Sequence, residues 1–294
     1  MRPRRVLVAA LAALVSLVPL TACSSSASSG AKSADNPYQL TEPGTLHVGT
    51  LSDAPPNVYL KDGKFTGFDN DLFAAVAAKA GLKVQFASTD FSALLSQVAN
   101  HKFDVGSSSI TVTEARKKTV AFTNGYDFGY FGLDVPAGSS VTSFDQLTGK
   151  RVVVVQGTVQ DDYATKRNLN PVRVPDYNSA LNQLKTGTAE AWISPAEIGE
   201  KSANDSGGKV VLVQKQLSPS PTAFAVAPDR PQLLAALDKG LDEVIADGTW
   251  NRLQDQYYPG RAVPDGFHPG SGTASGGATA GQSTPAAPTA SATP

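Results

Sequence analysis

One cysteine, one methionine and three histidines in 294 residues leave little material for redox or metal chemistry. With Cys23 alone there is no internal disulfide and no cysteine-based metal site. His47, His101 and His268 are scattered, and no HExxH or Cys-His pair accompanies them, so nothing marks an activated nucleophile or a metalloprotease. His101 beside Lys102 at a helix end reads as a surface residue. Charge is equally sparse: 17% of residues are charged and no basic block of five or six appears. Nucleic acid and anionic lipid are therefore not expected as partners. No apolar run reaches the length that spans a bilayer comfortably; Val6 to Leu20 comes nearest, at about fifteen residues.

What is present at the N-terminus reads as an address. Arg2, Arg4 and Arg5 precede the apolar run "VLVAALAALVSLVPL", and "LTAC" follows it. Small residues and then a cysteine in that place resemble a bacterial lipobox. Residues 1–22 are then a lipoprotein signal peptide, and Cys23 carries diacylglycerol on its thiol and an acyl chain on its amine. Two or three chains make a stable anchor where one gives only marginal binding. The same residues also fit an ordinary secretory signal with Cys23 incidental. Residues 23–39 form a flexible tether, and residues 263–294, rich in Gly, Ala, Ser, Thr and Pro, lack any periodic apolar pattern and are expected to stay disordered. Cleavage removes three arginines and no acids, leaving 22 basic residues against 26 acidic and a balance of −4.

Between the tails, short β-rich runs alternate with amphipathic stretches. "TLHVGT" predicts a strand. "DNDLFAAVAAKAG" predicts a helix with Leu72, Phe73, Val76 and Ala80 on one face, Asp69 or Asn70 as its cap and Gly81 as its end. "KVQFAS" predicts a strand, "DFSALLSQVANHK" a helix, and "FDVGSSS" a strand that fades into hydroxyls. A second series starts after about Tyr130, with strands "RVVVVQ", "PVRVP", "AEAWI" and "KVVLV" separated by helices. "TAFAVA" returns as a strand before two closing helices. Repeated βα units of this kind predict an α/β class with predominantly parallel sheets.

Ligands of such sheets sit outside the carboxyl ends of the strands, near helix N-termini. Two places fit. In "SSSITVTEARKKTVAFT" hydroxyls crowd the first positions, Thr113 is set to cap a short helix through Lys118, and Arg116 follows. In "VVVVQGTVQDDY", Gln156-Gly157-Thr158 turns a strand into a helix whose free N–H groups favour an anion. Two anion-friendly turns in separate βα series suggest one ligand gripped from both sides. By itself Arg116 also fits a solvated helix arginine pairing Glu114.

Four segments in order, "GKFTGFDNDLFAAVAAKAGLKVQF", "DFSALLSQVANHKFDVGSSSITVTEARKKTVAFT", "LTGKRVVVVQGT" and "DGTWNRLQDQYYP", are similar to the extracytoplasmic solute-binding proteins of polar amino-acid ABC importers, solute-binding family 3. The resemblance implies a two-lobed clamshell of type II, each lobe a mainly parallel sheet flanked by helices. Residues 40–127 with 222–262 would form lobe 1 and residues 128–221 lobe 2, joined by two hinge crossings. It implies that Arg116 pairs bidentately with a ligand carboxylate, that Thr111 and backbone groups near Ser108 and Ser109 complete that pocket, and that Thr158, Val159 and Gln160 supply the second lobe's turn. Phe91 matches a position that stacks on the ligand side chain, although core packing explains it as well.

Departures fall on the other half of the site. Leu51 stands where the family has an acid, Ala54 where it has an aromatic residue, and Pro195 where a lobe 2 aspartate accepts the ligand's ammonium. Asp53, Ser194 and Glu197 are the candidates to replace it. The resemblance implies no enzyme and no cofactor, but a monomeric binding protein that delivers a small carboxylate solute to ABC permease subunits. A receptor for a membrane kinase and an enzyme resembling cyclohexadienyl dehydratase on the same scaffold are the alternatives.

Overall fold

The computed structural model of the chain describes residues 36–272. The leader, Cys23, the tether through residue 35 and the tail from residue 273 lie outside the described residues, together with the expectations placed on them.

The chain begins with β1 (Thr45–Thr50), a small antiparallel sheet of β2 (Asp53–Ala54), β3 (Val58–Lys61) and β4 (Lys64–Thr66), and then α1 (Phe68–Lys79). There follow β5 (Lys83–Ser88), α2 (Phe91–Ala99), β6 (Val105–Gly106) and β7 (Ala121–Phe122). The middle of the chain holds β8 (Tyr130–Pro136), β9 (Val152–Val155), α3 (Val159–Lys166), β10 (Val172–Val174) and α4 (Tyr177–Lys185). It closes with β11 (Ala191–Pro195), α5 (Ala196–Asp205) and β12 (Val210–Leu217). Then come β13 (Ala225–Val226), α6 (Pro231–Ala246) and α7 (Thr249–Tyr257).

Two five-stranded sheets result, ordered β5-β1-β6-β13-β7 and β10-β9-β11-β8-β12. In each, the pairings place four strands in one direction and one against them: β13 in the first sheet and β8 in the second. The reversed strand is the one the chain enters straight after crossing between sheets. It starts at the cleft and runs outward, while its neighbours end there. Carboxyl ends of both sheets therefore face one another across a cleft, the placement at which α/β sheets bind ligands. The two crossings lie side by side, with the Thr222 N–H donating to the Asp127 carbonyl at 2.9 Å and the Tyr126 N–H to the Thr222 carbonyl at 3.0 Å.

Each sheet buries its own core. Leu46 and Val48 of β1 meet Leu72, Phe73 and Val76 of α1 and Leu237 and Leu241 of α6. Leu133, Val152, Val154 and Ile193 form the second core with Phe144 and Leu147. A third cluster joins Phe91 and Leu94 to Tyr177 and Trp192 across the two sheets. α6 can approach α1 because Gly240 has no side chain; a Cβ there would lie 2.6 Å from the Val76 carbonyl oxygen.

Two expectations need correction. Neither Asp69 nor Asn70 caps α1: the helix starts at Phe68, its N-cap is Gly67, and both polar side chains are buried inside the first turn. Asn70 accepts from Thr50 at 3.1 Å and Asp69 accepts from Ser109, so tertiary partners claim them. The tail does not begin at Val263. Residues through Gly272 dock on the body, with the Gly125 N–H donating to the Ser271 carbonyl at 3.0 Å, the Gly270 N–H to the Gly125 carbonyl at 2.8 Å, and Phe267 edge-on to Phe128. A single aromatic anchor and paired backbone groups suffice where periodicity gave no sign.

Candidate functional site

The cleft encloses about 640 Å³ of empty space, part of it open to solvent, and is lined from both sheets. On the first side β6 ends at Gly106 and the hydroxyl run leaves it. The Ser109 backbone takes φ 45°, and its hydroxyl donates to the Asp69 carboxylate and accepts from Asn57 Nδ2 at 2.7 Å. That hydroxyl is occupied by neighbours. Ser108, Ser109 and Thr111 nevertheless line the cleft.

Arg116 lines this side of the cleft. Thr113 Oγ accepts from the Arg116 N–H at 3.2 Å, but the expected N-cap moves: the helical turn is the short Arg116–Lys118, its N-cap is Ala115, and Thr113 braces the turn from two residues before that cap. The guanidinium is buried, donating from Nη1 to the Thr111 carbonyl at 2.7 Å and from Nη2 to the Gly157 carbonyl of the opposite turn at 3.0 Å. Among the described residues no carboxylate pairs with it; Glu114 pairs Lys117 instead. Burial pulls its pKa below the ordinary value, Asp162 countering at longer range. Two of five guanidinium N–H bonds are thus used and the remainder are available to an acceptor. Phe91 lines the cleft with its ring centroid 5.1 Å from the Arg116 guanidinium carbon, so it supports the cation as well as filling the core.

Opposite stands the turn between β9 and α3. Gly157 takes φ 77°, which a side chain would resist. Thr158 caps α3, its Oγ accepting from the Asp161 N–H at 3.2 Å and donating to the Val155 carbonyl at 2.8 Å. This leaves the N–H groups of Val159 and Gln160 at the helix start, and all three residues line the cleft. The structure therefore brings together Arg116, Thr111, Ser108, Ser109, Phe91, Thr158, Val159 and Gln160.

Asp53 and Ser194 are not with them. Asp53 sits at a neighbouring groove and accepts from the Asn178 N–H at 2.9 Å, a tie between β2 and the start of α4. Ser194 is fully buried behind β11, because side chains alternate along a strand and Pro195 takes the cleft-facing position. Its hydroxyl donates to Asp134 at 2.5 Å, a contact that Gly132 and Gly199 make room for; a Cβ at either would lie within 2.6 Å of Ser194 Oγ. Burial raises Asp134 to about 7.

The sequence reading missed Asp127, Phe128, Tyr130 and Tyr177, which also line the cleft, and left Glu197 only as an alternative. The signal for Asp127, Phe128 and Tyr130 was the aromatic-rich run "YDFGYFG" at the first crossing, whereas Tyr177, at the start of α4, had none. Arg261, from beyond α7, donates to Asp127 at 2.5 Å and to Glu197 at 3.4 Å, and its guanidinium lies 3.9 Å from the Tyr258 ring centroid and 4.4 Å from that of Phe128. Gln254 Nε2 also donates to Asp127, at 3.1 Å. Burial raises Asp127 despite Arg261, and raises Glu197 to about 6 and Asp69 to about 7. Against the pull of its own burial, Arg261 is held above its ordinary value by Asp127, Tyr258 and Glu197.

Two lobes with sheet ends facing across a cleft, and a buried cation at that cleft, define an extracytoplasmic solute-binding fold. The chain belongs to the bacterial extracellular solute-binding proteins, family 3, which it matches over residues 46–260. It is 28% identical over 222 residues to the probable amino-acid-binding protein YxeM of Bacillus subtilis (strain 168), covering 72% of this chain and 83% of that protein. The solved structure of an ancestral arginine-binding protein bound to arginine is similar with a TM-score of 0.70 at 30% identity, covering 73% of this chain and 98% of that one. An ancestral amino acid-binding protein that is a precursor of cyclohexadienyl dehydratase is similar with a TM-score of 0.67 at 28% identity, covering 73% and 96%. Relatives include binding proteins of amino-acid ABC transporters.

Proposed function

We propose that the chain is a monomeric, lipid-anchored extracytoplasmic protein that captures a small carboxylate-bearing solute, an amino acid or a derivative, and delivers it to an ABC importer. The observation that carries the reading is Arg116, a buried guanidinium with unused donors and no carboxylate of its own among the described residues, facing the free N–H groups of the second lobe's turn. A planar fork of this kind matches a carboxylate in two parallel hydrogen bonds. Because the ligand touches both lobes, it favours the closed state by whatever affinity the closed state adds.

Calorimetry with amino acids and their carboxamides tests the carboxylate clamp. The acids bind, the amides do not, and Arg116→Lys binds clearly more weakly because it keeps the charge but loses the fork. Each charge-assisted hydrogen bond is worth about 1.5–3 kcal/mol, so Arg116→Ala weakens binding by roughly 10- to 100-fold or more. An amide that binds as well as its acid defeats the reading. The anchor is tested apart from the ligand: Cys23→Ala moves the protein from the membrane fraction to the aqueous one.

One observation favours a second reading. Glu197, raised by burial to about 6 in the cleft, has the acidity of a general acid or base, and a structural relative is the precursor of a dehydratase. Ligand recovered unchanged after incubation with the protein rejects it.

A further inference from the structure

Residues 261–272 follow the stretch matched to the family, which ends at residue 260, and they fold back on the crossings between the lobes. The Gly125 N–H donates to the Ser271 carbonyl at 3.0 Å, and the Gly270 N–H returns to the Gly125 carbonyl at 2.8 Å. The second crossing touches the first at this point, since a Cβ on Gly125 would lie 2.9 Å from Pro221 Cβ. Three residues on, Phe128 meets Phe267 edge-on with ring centroids 5.0 Å apart, and the Arg261 guanidinium carbon lies 4.4 Å from the Phe128 centroid. Arg261 also donates to Glu197 of α5 at 3.4 Å. At the same time the segment rests on the first core. Phe267 packs at the edge of that core, and a Cβ on Gly270 would lie 3.0 Å from Ile245 Cδ1 of α6. One short segment thus touches the first lobe's helices, the first crossing and the second lobe's α5.

These contacts belong to an arrangement in which the lobes are together. Across the cleft Arg116 Nη2 reaches the Gly157 carbonyl at 3.0 Å and the Asn178 N–H reaches Asp53 at 2.9 Å, while a Cβ on Gly157 would lie 3.2 Å from Ser92 Cα. Rotating the second lobe about the crossings separates those pairs. It also carries Phe128 and Glu197 away from Phe267 and Arg261, because α6 and α7 stay with the first sheet. We propose that residues 261–272 are a clasp that holds the crossings in the closed arrangement and so positions the two walls of the cleft without touching the ligand. No residue of the segment lines the cleft, so it acts only through the lobes. Contacts made in one of two states and lost in the other are the kind that shift an equilibrium. The clasp takes from the function proposed above only the closing of the lobes.

The test reads the distance between the lobes. Its parent is the full chain with Cys23→Ala, which removes the single native thiol, and with spin labels on Ser88→Cys and Asn182→Cys. Those two positions are exposed on the two walls of the groove that Asp53 and Asn178 bridge. Phe267→Ala, Phe267→Tyr and a deletion of residues 264–272 are compared with it. Without ligand, Phe267→Ala raises the ratio of long to short separations by roughly three- to tenfold, the scale of one aromatic pair, and the deletion raises it at least as far. Phe267→Tyr keeps the ring and stays with the parent. Phe267 is only half-buried, so its alanine variant stays folded and decides the matter even where the deletion does not fold. A purely structural role would lower stability and leave the separations of the folded protein unchanged. Calorimetry with the proteinogenic L-amino acids gives a second reading: Phe267→Ala weakens every one that binds by one common factor and keeps their order. Separations that do not lengthen in Phe267→Ala, a parent already at the long separation, or an altered order among the amino acids each overturns the clasp. A parent that binds no amino acid defeats the function proposed above instead, and the separations still decide the clasp.

Discussion

The two ends of the cleft place an arginine in opposite situations. Arg116 is buried without a counter-ion among the described residues, on backbone carbonyls and a phenylalanine face. Arg261 is wedged between two aromatic rings and two carboxylates. The difference separates a cation with unused donors from a cation whose partners all belong to the fold. An unsatisfied cation costs the empty protein stability and gains its return on binding, whereas a satisfied one holds the structure whether or not ligand is present.

Removing each cation should therefore have opposite consequences. The largest effect is expected at Arg261→Met, which strands Asp127 and Glu197 without a cation; chemical denaturation should show a loss of roughly 3–5 kcal/mol at pH 8. Both acids already titrate above their ordinary values through burial, Glu197 at about 6, and the substitution raises them further. Folded-state values above the unfolded ones mean that the folded protein binds more protons in between. The destabilisation is then fully expressed above the raised values and shrinks as pH falls toward about 4. A loss that does not diminish at pH 5 would break the contrast, since it would come from packing on Tyr258 and Phe128 instead.

At Arg116 the order reverses. Arg116→Met removes two hydrogen bonds to carbonyls but also relieves the desolvation of a buried, unpaired charge, and because the two effects oppose, the stability of the ligand-free protein should fall by no more than about 1 kcal/mol or should rise. Ligand-induced stabilisation should vanish in the same samples. A fall of several kcal/mol would make Arg116 a structural residue like Arg261 and remove the distinction between the two ends.

The smallest effect is expected within the hydroxyl run. The Ser109 hydroxyl is engaged by Asp69 and Asn57. Ser109→Ala should cost about 0.5–1.5 kcal/mol in denaturation while changing ligand affinity by less than about threefold. A larger change in affinity would show that the hydroxyl itself takes part in binding at the Arg116 end.

The Arg116 end of the cleft was legible in the sequence because it is built from contiguous chain. Thr111, Thr113 and Arg116 lie within one strand-to-helix turn, and Gly157 to Gln160 within another, so local spacing determined both the φ values and the hydrogen-bonding groups. The alternation of strands and helices was legible for the same reason, since periods of 2 and 3.6 residues belong to the local chain. The acid-rich end is assembled from Asp127 at a crossing, Glu197 on α5, Gln254 on α7 and Arg261 beyond it, partners 7 to 134 residues apart. No local rule links such residues. Their association follows from which strand face is buried, which puts Ser194 inside and Pro195 at the cleft, and from the docking of residues through Gly272 that packs Phe267 on Phe128 beside Arg261. Sequence by itself determined the elements and one charge; which acids would be left short of a cation was decided only when distant segments packed, because burial is what turns a shared charge into an unmet one.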